Sequence, residues 1–123
     1  MLITKYLPLF IFCLIVLVAC EQSRATFEIV NHTQQTLDAV YITPNRNETA
    51  KHISLPPSES SVYEIDMSEA EGDGSYTLYY TLNDKTLFHQ FGYYTNGSAL
   101  EEGTQLNIYQ DSVEVVWGER SNY

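Results

Sequence analysis

The stretch SYTLYYTLNDKTLFHQFGYY, from Ser75 to Tyr94, decides the fold. It contains two runs in which apolar and polar residues alternate, and a period of two is the pattern of a β-strand with one buried face. The dipeptide Asn83-Asp84 between the runs is a turn signal. We therefore predict a hairpin of two antiparallel strands, Ser75–Leu82 and Thr86–Tyr94.

The length of the hairpin loop decides which side chains share a face, because a slip of one residue turns every side chain to the opposite face. An odd loop would set Phe88 and Gln90 opposite Tyr80 and Leu78, which is a poor match of polarity. A loop of two or four residues is therefore predicted. It puts the following residues on the core face: Tyr76, Leu78, Tyr80, Leu82, Leu87, His89, Phe91 and Tyr93.

The same register leaves two large aromatic residues, Tyr79 and Phe88, on the outer face of the hairpin. Thr77, Thr81 and Gln90 lie on that face too, and they indicate contact with water. One interpretation is a cross-strand pair that stabilises the hairpin by about 0.2–1 kcal/mol. The other is an aromatic platform that binds a glycan or a protein partner.

Short runs rich in Val, Ile, Thr, Tyr and Phe recur outside the hairpin, and no segment shows sustained helical periodicity. These runs predict six more strands: Phe27–Val30, Leu37–Thr43, His52–Leu55, Val62–Met67, Thr104–Gln110 and Val113–Trp117. The expected fold is all-β, an immunoglobulin-like β-sandwich of about seven or eight antiparallel strands, in preference to a closed barrel. The Cys-Trp-Cys core of antibody domains is absent, so this prediction concerns architecture and not family.

The N-terminus has the pattern of an export signal. Lys5 is followed by LPLFIFCLIVLVA (residues 7–19), which has no charged residue and is too short for a comfortable transmembrane helix. The run ends in Leu17-Val18-Ala19-Cys20, a string that resembles the lipobox of bacterial lipoprotein precursors. The resemblance implies cleavage between Ala19 and Cys20 and attachment of lipid to the Cys20 thiol. The alternative is an ordinary secretory leader with a cysteine at this position by chance.

The resemblance to lipoprotein precursors also implies how the chain is organised. Residues 1–19 are the signal peptide, residues 20–26 the lipidated cysteine with a short tether, and residues 27–123 a single β-sandwich domain. The membrane is then a partner through the lipid anchor. Glu21 follows the cysteine, and in the family's sorting rule for two-membrane bacteria a residue other than Asp favours the outer membrane. The expected location is the cell envelope, at the outer rather than the inner membrane.

Composition argues against several classes of function. The chain has 16 Asp and Glu against 6 Lys and Arg, a formal net charge of −10, so nucleic acid is not an expected partner. The resemblance to lipoprotein precursors implies that Cys13 leaves with the leader and that Cys20 is consumed by lipid, so the mature domain is expected to have no thiol for catalysis or for metal binding. No dinucleotide or phosphate-binding motif is present, and no cofactor is expected.

Candidate catalytic residues are few. The chain has no G-x-S-x-G or S-x-x-K motif, and its three histidines lack metal-ligand spacing. His32 and His52 are expected to face water. His89 lies on the predicted core face, and we interpret it as a buried histidine with satisfied hydrogen bonds. We therefore predict no catalytic residues and no enzyme.

Four carboxylates, Asp66, Glu69, Glu71 and Asp73, lie within eight positions of one another, interspersed with glycine. An oxygen-rich loop of this kind can hold Ca²⁺. The spacing does not match the D-x-[DN]-x-[DN]-G pattern, and no Glu closes the loop. A solvated acidic loop is therefore the preferred interpretation, and no metal site is predicted.

These observations favour a lipid-anchored, non-enzymatic envelope protein that acts as a binding or accessory module, with an envelope protein or a glycan as its partner. One alternative is an inhibitor of a cationic enzyme such as lysozyme, because the acidity of the domain would steer it to such a target. Small lysozyme-inhibitor lipoproteins share its size and β-rich character, but their Cys pair and inhibitory loop motif have no match here. The other alternative is a small hydrolase that uses carboxylates and His89.

Overall fold

The computed structural model describes residues 24–44, 50–70 and 72–120, and these residues form an all-β domain. The predicted leader and Cys20 lie outside the described residues. The strands are β1 Arg24–Asn31, β2 Leu37–Pro44, β3 Ile53–Leu55, β4 Ser60–Asp66, β5 Gly74–Leu82, β6 Lys85–Thr95, β7 Ser98–Ala99, β8 Glu101–Glu102, β9 Thr104–Ile108, β10 Val113–Val116 and β11 Glu119–Arg120. A short 3-10 helix, Met67–Glu69, follows β4.

The strands form two main sheets that pack face to face. The first sheet has the order β10-β9-β1-β4 and the second has the order β3-β2-β5-β6-β7, while β8 and β11 form a separate two-stranded ribbon. Between the sheets, the ring of Phe27 in β1 meets Tyr76 in β5 and Phe91 in β6 edge to face, with centroids 5.0 and 5.5 Å apart. This is a favourable arrangement for aromatic pairs in a core. The expected β-sandwich is confirmed.

The hairpin of β5 and β6 has a loop of two residues, as predicted. Leu82 pairs with Lys85 across the loop. Asn83 and Asp84 have positive φ values of 54° and 61°. This is the geometry of a type I′ turn, which matches the right-handed twist of the two strands.

The register of this hairpin shifts at Gly92, where β6 contains a β-bulge. Beyond this point β6 uses one residue more than β5. Gly92 has a φ of +68°, a conformation that glycine adopts without the Cβ clash that other residues suffer. The prediction that Tyr93 lies on the core face is therefore wrong, because Tyr94 is buried in its place and Tyr93 is exposed.

The first strand also differs from its prediction. It begins at Arg24, so residues 24–26 lie in the first sheet opposite β4 and not in a tether. Moreover, β1 pairs in parallel with β9, with Phe27 opposite Thr104, whereas the sequence analysis predicts only antiparallel strands. Two parallel strands that are neighbours in a sheet require a long crossover connection between them, and no local sequence pattern predicts such a partner. The two-residue strands β7, β8 and β11 were not predicted either.

A buried asparagine closes one end of the sandwich. Nδ2 of Asn31 donates hydrogen bonds to the carbonyl oxygens of Gln35 and Leu55, at 2.8 and 2.9 Å. Its Oδ1 accepts from the backbone N–H and the hydroxyl of Thr33, at 2.8 and 2.7 Å. The amide thus uses both donors and both acceptor sites, and it joins the β1–β2 loop to the end of β3.

Candidate functional site

Four rings form a row across the outer face of the second sheet, and we call them the aromatic ladder: His52, Tyr41, Tyr79 and Phe88. Tyr41 stacks between His52 and Tyr79, with centroids 4.2 and 4.8 Å apart and interplanar angles of 5° and 15°. The rings of Tyr79 and Phe88 are tilted by 38°, with centroids 6.3 Å apart. The structure therefore brings the predicted residues Tyr79 and Phe88 together and extends the pair by two further rings.

Strand register builds the aromatic ladder. Tyr41 in β2 lies opposite Tyr79 in β5, which lies opposite Phe88 in β6. His52 joins the row from the position just before β3. The sequence analysis found Tyr79 and Phe88 because they belong to one hairpin. It missed Tyr41 and His52 because the strand on the other side of β5 is decided by the topology of the sheet.

Stacking limits what the aromatic ladder can bind. The two faces of the Tyr41 ring lie against His52 and Tyr79, so these faces are already occupied. A sugar that packs its C–H groups on an aromatic face needs that face free. Phe88 ends the row and is 68% exposed. The aromatic ladder therefore presents an exposed ring at each of its ends, Phe88 and His52, and each is supported on one side by the inner rings.

The β5 and β6 positions beside the aromatic ladder are uncharged, although the chain as a whole has a net charge of −10: Thr77, Thr81, Thr86 and Gln90. Gln90 and Thr86 are exposed to solvent, as predicted for this face. Thr77 is buried instead, and so is its partner Thr43 in β2. The water-facing part of the outer surface is thus concentrated around Phe88.

A second aromatic surface borders a cleft of about 590 Å³, which we call the Trp117 cleft. It lies beside β6 and the β8–β11 ribbon, and its lining residues are Gly92, Tyr93, Glu101, Trp117 and Gly118. Tyr93 is 46% exposed and Trp117 is 53% exposed. The cleft is shallow and open to solvent, and its lining combines the rings of Tyr93 and Trp117 with the carboxylate of Glu101.

The bulge at Gly92 explains the presence of the Trp117 cleft. It turns Tyr93 outward, and a Cβ atom at Gly92 would lie only 3.6 Å from Cζ3 of Trp117. The indole therefore lies close over a residue that has no side chain. The sequence analysis missed this cleft because it assigned Tyr93 to the core. The available signal was the glycine within a strand pattern, which often marks a bulge or a close approach.

The electrostatic environment of the Trp117 cleft includes two carboxylates. Glu101 lines the cleft directly. Desolvation, together with the charge and hydrogen bond of the Asp73 carboxylate, raises the pKa of Tyr93. Arg120 is the register partner of Glu101 in the β8–β11 ribbon. Aromatic rings and carboxylates thus share one small region of the surface.

The three histidines lie in different surroundings. Nε2 of His32 is 2.9 Å from Oδ1 of Asn107 in a hydrogen bond, and its ring stacks on Tyr109 with centroids 4.7 Å apart. His52 belongs to the aromatic ladder. His89 faces the side of β6 that was predicted, but it is only half-buried and has no hydrogen bond to another described residue. The prediction of a buried, hydrogen-bonded His89 is therefore wrong.

The acidic segment after β4 uses its carboxylates in local turns. Asp66 accepts a hydrogen bond of 2.9 Å from the backbone N–H two residues later, and this bond lowers the pKa of Asp66. Asp73 accepts a hydrogen bond of 3.1 Å from the N–H of Asn96. Glu71 and the side chain of Glu69 lie outside the described part of the chain. Within that part, no three His, Cys, Asp or Glu side chains are grouped so that they could hold a metal ion.

No protein-family model matches the chain, and no curated protein matches it in sequence. In residues 24–44, 50–70 and 72–120, no helix has the length and apolar character needed to cross a membrane.

Proposed function

We propose that this protein is a lipid-anchored, non-enzymatic binding module of the bacterial cell envelope, which contacts a protein partner through the aromatic ladder. The observation that carries the proposal is the ring of Phe88, which is 68% exposed at the end of a stacked row. Exposed aromatic residues on a firm support are typical of the residues that dominate the binding energy of protein interfaces. The stacking also stabilises the sheet, so binding and stability share the same rings.

The aromatic ladder holds Phe88 in a defined orientation before any partner arrives. Ordering a mobile side chain at an interface costs about 0.5–1.5 kcal/mol, and a ring already packed beside Tyr79 avoids part of this cost. Because both faces of Tyr41 are occupied, a glycan could pack only against the ends of the row and not across several rings. A protein surface with an apolar pocket for Phe88 and polar groups around it fits better.

The lipid anchor is supported by the leader pattern that ends at Cys20. Because β1 begins at Arg24, cleavage before Cys20 leaves only residues 21–23 between the anchor and the sheet. Three residues span about 10 Å when extended. The start of β1 would therefore lie against the lipid surface, and several acyl chains on one cysteine would make the attachment durable. Glu21 favours the outer membrane for this attachment.

Site-specific photo-crosslinking in intact cells tests the partner surface. p-Benzoylphenylalanine replaces Phe88 in one strain and Val62 in a control strain, since Val62 is 65% exposed but lies in β4 of the other sheet. We expect position 88 to give one discrete adduct with a second protein, which position 62 does not give. Equal adducts from both positions, no adduct from position 88, or an adduct that contains only this chain would contradict the proposal.

The double variant Tyr79→Ser with Phe88→Ser separates binding from folding. We expect the affinity for the purified crosslinked protein to fall at least about tenfold, while the protein stays folded with a Tm lowered only by the loss of the cross-strand ring contacts, about 0.2–1 kcal/mol each. Val62→Ser is the control and should bind normally. If the double variant unfolds, Phe88→Ser alone decides, and normal binding by that single variant would refute the partner surface.

The variant Cys20→Ala tests the anchor. We expect the precursor to remain uncleaved or to be cleaved elsewhere, and labelled fatty acid to be absent from it, because the Cys20 thiol is the atom that is acylated. Incorporation of labelled fatty acid into the Cys20→Ala protein would contradict the lipobox assignment.

A further inference from the structure

We propose that the Trp117 cleft binds an organic cation that bears a substituted ammonium group. This site is separate from the aromatic ladder, because none of the lining residues of the cleft belongs to that row. Three properties of the cleft support this: its exposed aromatic rings, the carboxylates beside them and the two glycines that contribute only backbone to its lining.

Trp117 and Tyr93 supply the aromatic surfaces. A cation over the face of an aromatic ring is attracted by the negative charge of that face, and Trp gives the strongest attraction. The two rings are 53% and 46% exposed, respectively. Among the described residues neither ring stacks on another aromatic ring, in contrast to Tyr41 in the aromatic ladder. Their faces are therefore available to a ligand.

The charge of the surroundings favours a positive ligand over a neutral one. Glu101 lines the cleft, and the Asp73 carboxylate lies close enough to Tyr93 to interact with its hydroxyl. The net charge of −10 adds a long-range attraction for cations. Aromatic faces beside a carboxylate form the combination that recognises quaternary ammonium groups.

Two glycines in the lining allow close approach of the backbone to its neighbours. A Cβ atom on Gly92 would lie 2.9 Å from Cδ2 of Tyr76, and a Cβ atom on Gly118 would clash with the carbonyl oxygen of Glu102. Neither position accepts a side chain without a shift of its neighbours. Gly92 and Gly118 therefore contribute only backbone to the lining beside Tyr93 and Trp117.

Tryptophan fluorescence provides the test, because Trp117 is the only tryptophan in the chain. The full-length protein is titrated with choline and with 3,3-dimethylbutan-1-ol, which has the same shape without the charge. We expect choline to change the Trp117 emission saturably and to bind at least about tenfold more tightly than the neutral alcohol. A parallel titration with phosphocholine distinguishes the two sources of the ligand. A site for a lipid headgroup should bind phosphocholine as tightly as choline, whereas a site for a free cation should bind choline more tightly than phosphocholine.

Three variants assign the effect to the cleft. Glu101→Gln should lower the affinity for choline several-fold without changing the affinity for the neutral alcohol. Trp117→Leu should abolish the binding of choline. Because this variant lacks the fluorophore, its binding is measured by ligand-observed NMR. Val62→Ala, on the other sheet, should bind choline normally.

Several outcomes would overturn the proposal. Equal affinity for choline and the neutral alcohol would show an apolar pocket without charge recognition. Unchanged choline binding by Glu101→Gln, or no change of Trp117 emission at any soluble choline concentration, would contradict the proposed cation site. Binding of maltotriose in place of choline would identify a neutral glycan site. None of these results bears on the proposed protein-binding role of the aromatic ladder, because the crosslinks from position 88 test that surface independently.

Discussion

Replacement of Gly92 by alanine tests how the bulge in β6 builds both the core and the Trp117 cleft. The new Cβ would lie 2.9 Å from Cδ2 and 3.4 Å from Cε2 of Tyr76, a ring that packs in the core against Phe27. It would also lie 3.6 Å from Cζ3 of Trp117. The Tyr76 ring must move, and it has little freedom to do so because the core is close-packed.

Two terms contribute to the loss of stability of Gly92→Ala. The φ of +68° lies in the left-handed region, where a Cβ costs about 1–2 kcal/mol. Overpacking of the Tyr76 ring costs about 1–3 kcal/mol. The free energy of unfolding should therefore fall by about 2–5 kcal/mol. At about 4–8 °C per kcal/mol for a domain of this size, Tm should fall by at least about 8 °C.

Gly103→Ala is the matched control for Gly92→Ala. Gly103 has a φ of +70°, but its Cβ would have no atom within 4 Å, so only the backbone term applies. Urea unfolding of the two variants, with circular dichroism as the probe, should show that Gly92→Ala is the less stable by about 1–3 kcal/mol. Equal losses in the two variants would refute the argument that contact with Tyr76 makes this position require glycine.

Three further predictions concern stability. Tyr94→Phe should stabilise the protein by about 1–3 kcal/mol, because the buried Tyr94 hydroxyl has no hydrogen-bond partner among the described residues; a lower Tm would contradict this. Asn31→Ala should cost about 2–4 kcal/mol in urea unfolding, because the carbonyl of Leu55 and the backbone N–H of Thr33 lose their hydrogen bonds to the Asn31 side chain; a loss below about 0.5 kcal/mol would contradict this. The carboxylate of Asp66 has a pKa lowered below its ordinary 3.8, so its contribution to stability is present above that pH and is lost as the pH falls through the lower folded value. When the pH is lowered from neutral to strongly acidic, the Tm of Asp66→Ala should therefore fall less than the Tm of the native protein. Parallel curves of Tm against pH for the two proteins would refute the assignment.

Local pattern alone predicts much of this fold. All eight predicted strands occur, and the two-residue turn at Asn83-Asp84 sets the hairpin register that pairs Tyr79 with Phe88. These features are predictable because alternation of side chains and the backbone preference of turn residues act within a few residues of one another. The very short strands β7, β8 and β11 escape prediction because two residues are too few to show any alternation.

The sequence by itself therefore determined the all-β class, the hairpin and one half of the aromatic ladder. Only the tertiary structure decided which strands are neighbours, and it set Tyr41 beside Tyr79 and β9 parallel to β1. It also decided the bulge at Gly92, which buries Tyr94 and exposes Tyr93 next to Trp117. The physical reason is that the free energy of these arrangements comes from packing between segments far apart in the chain. A periodic pattern read along one strand contains no information about such partners.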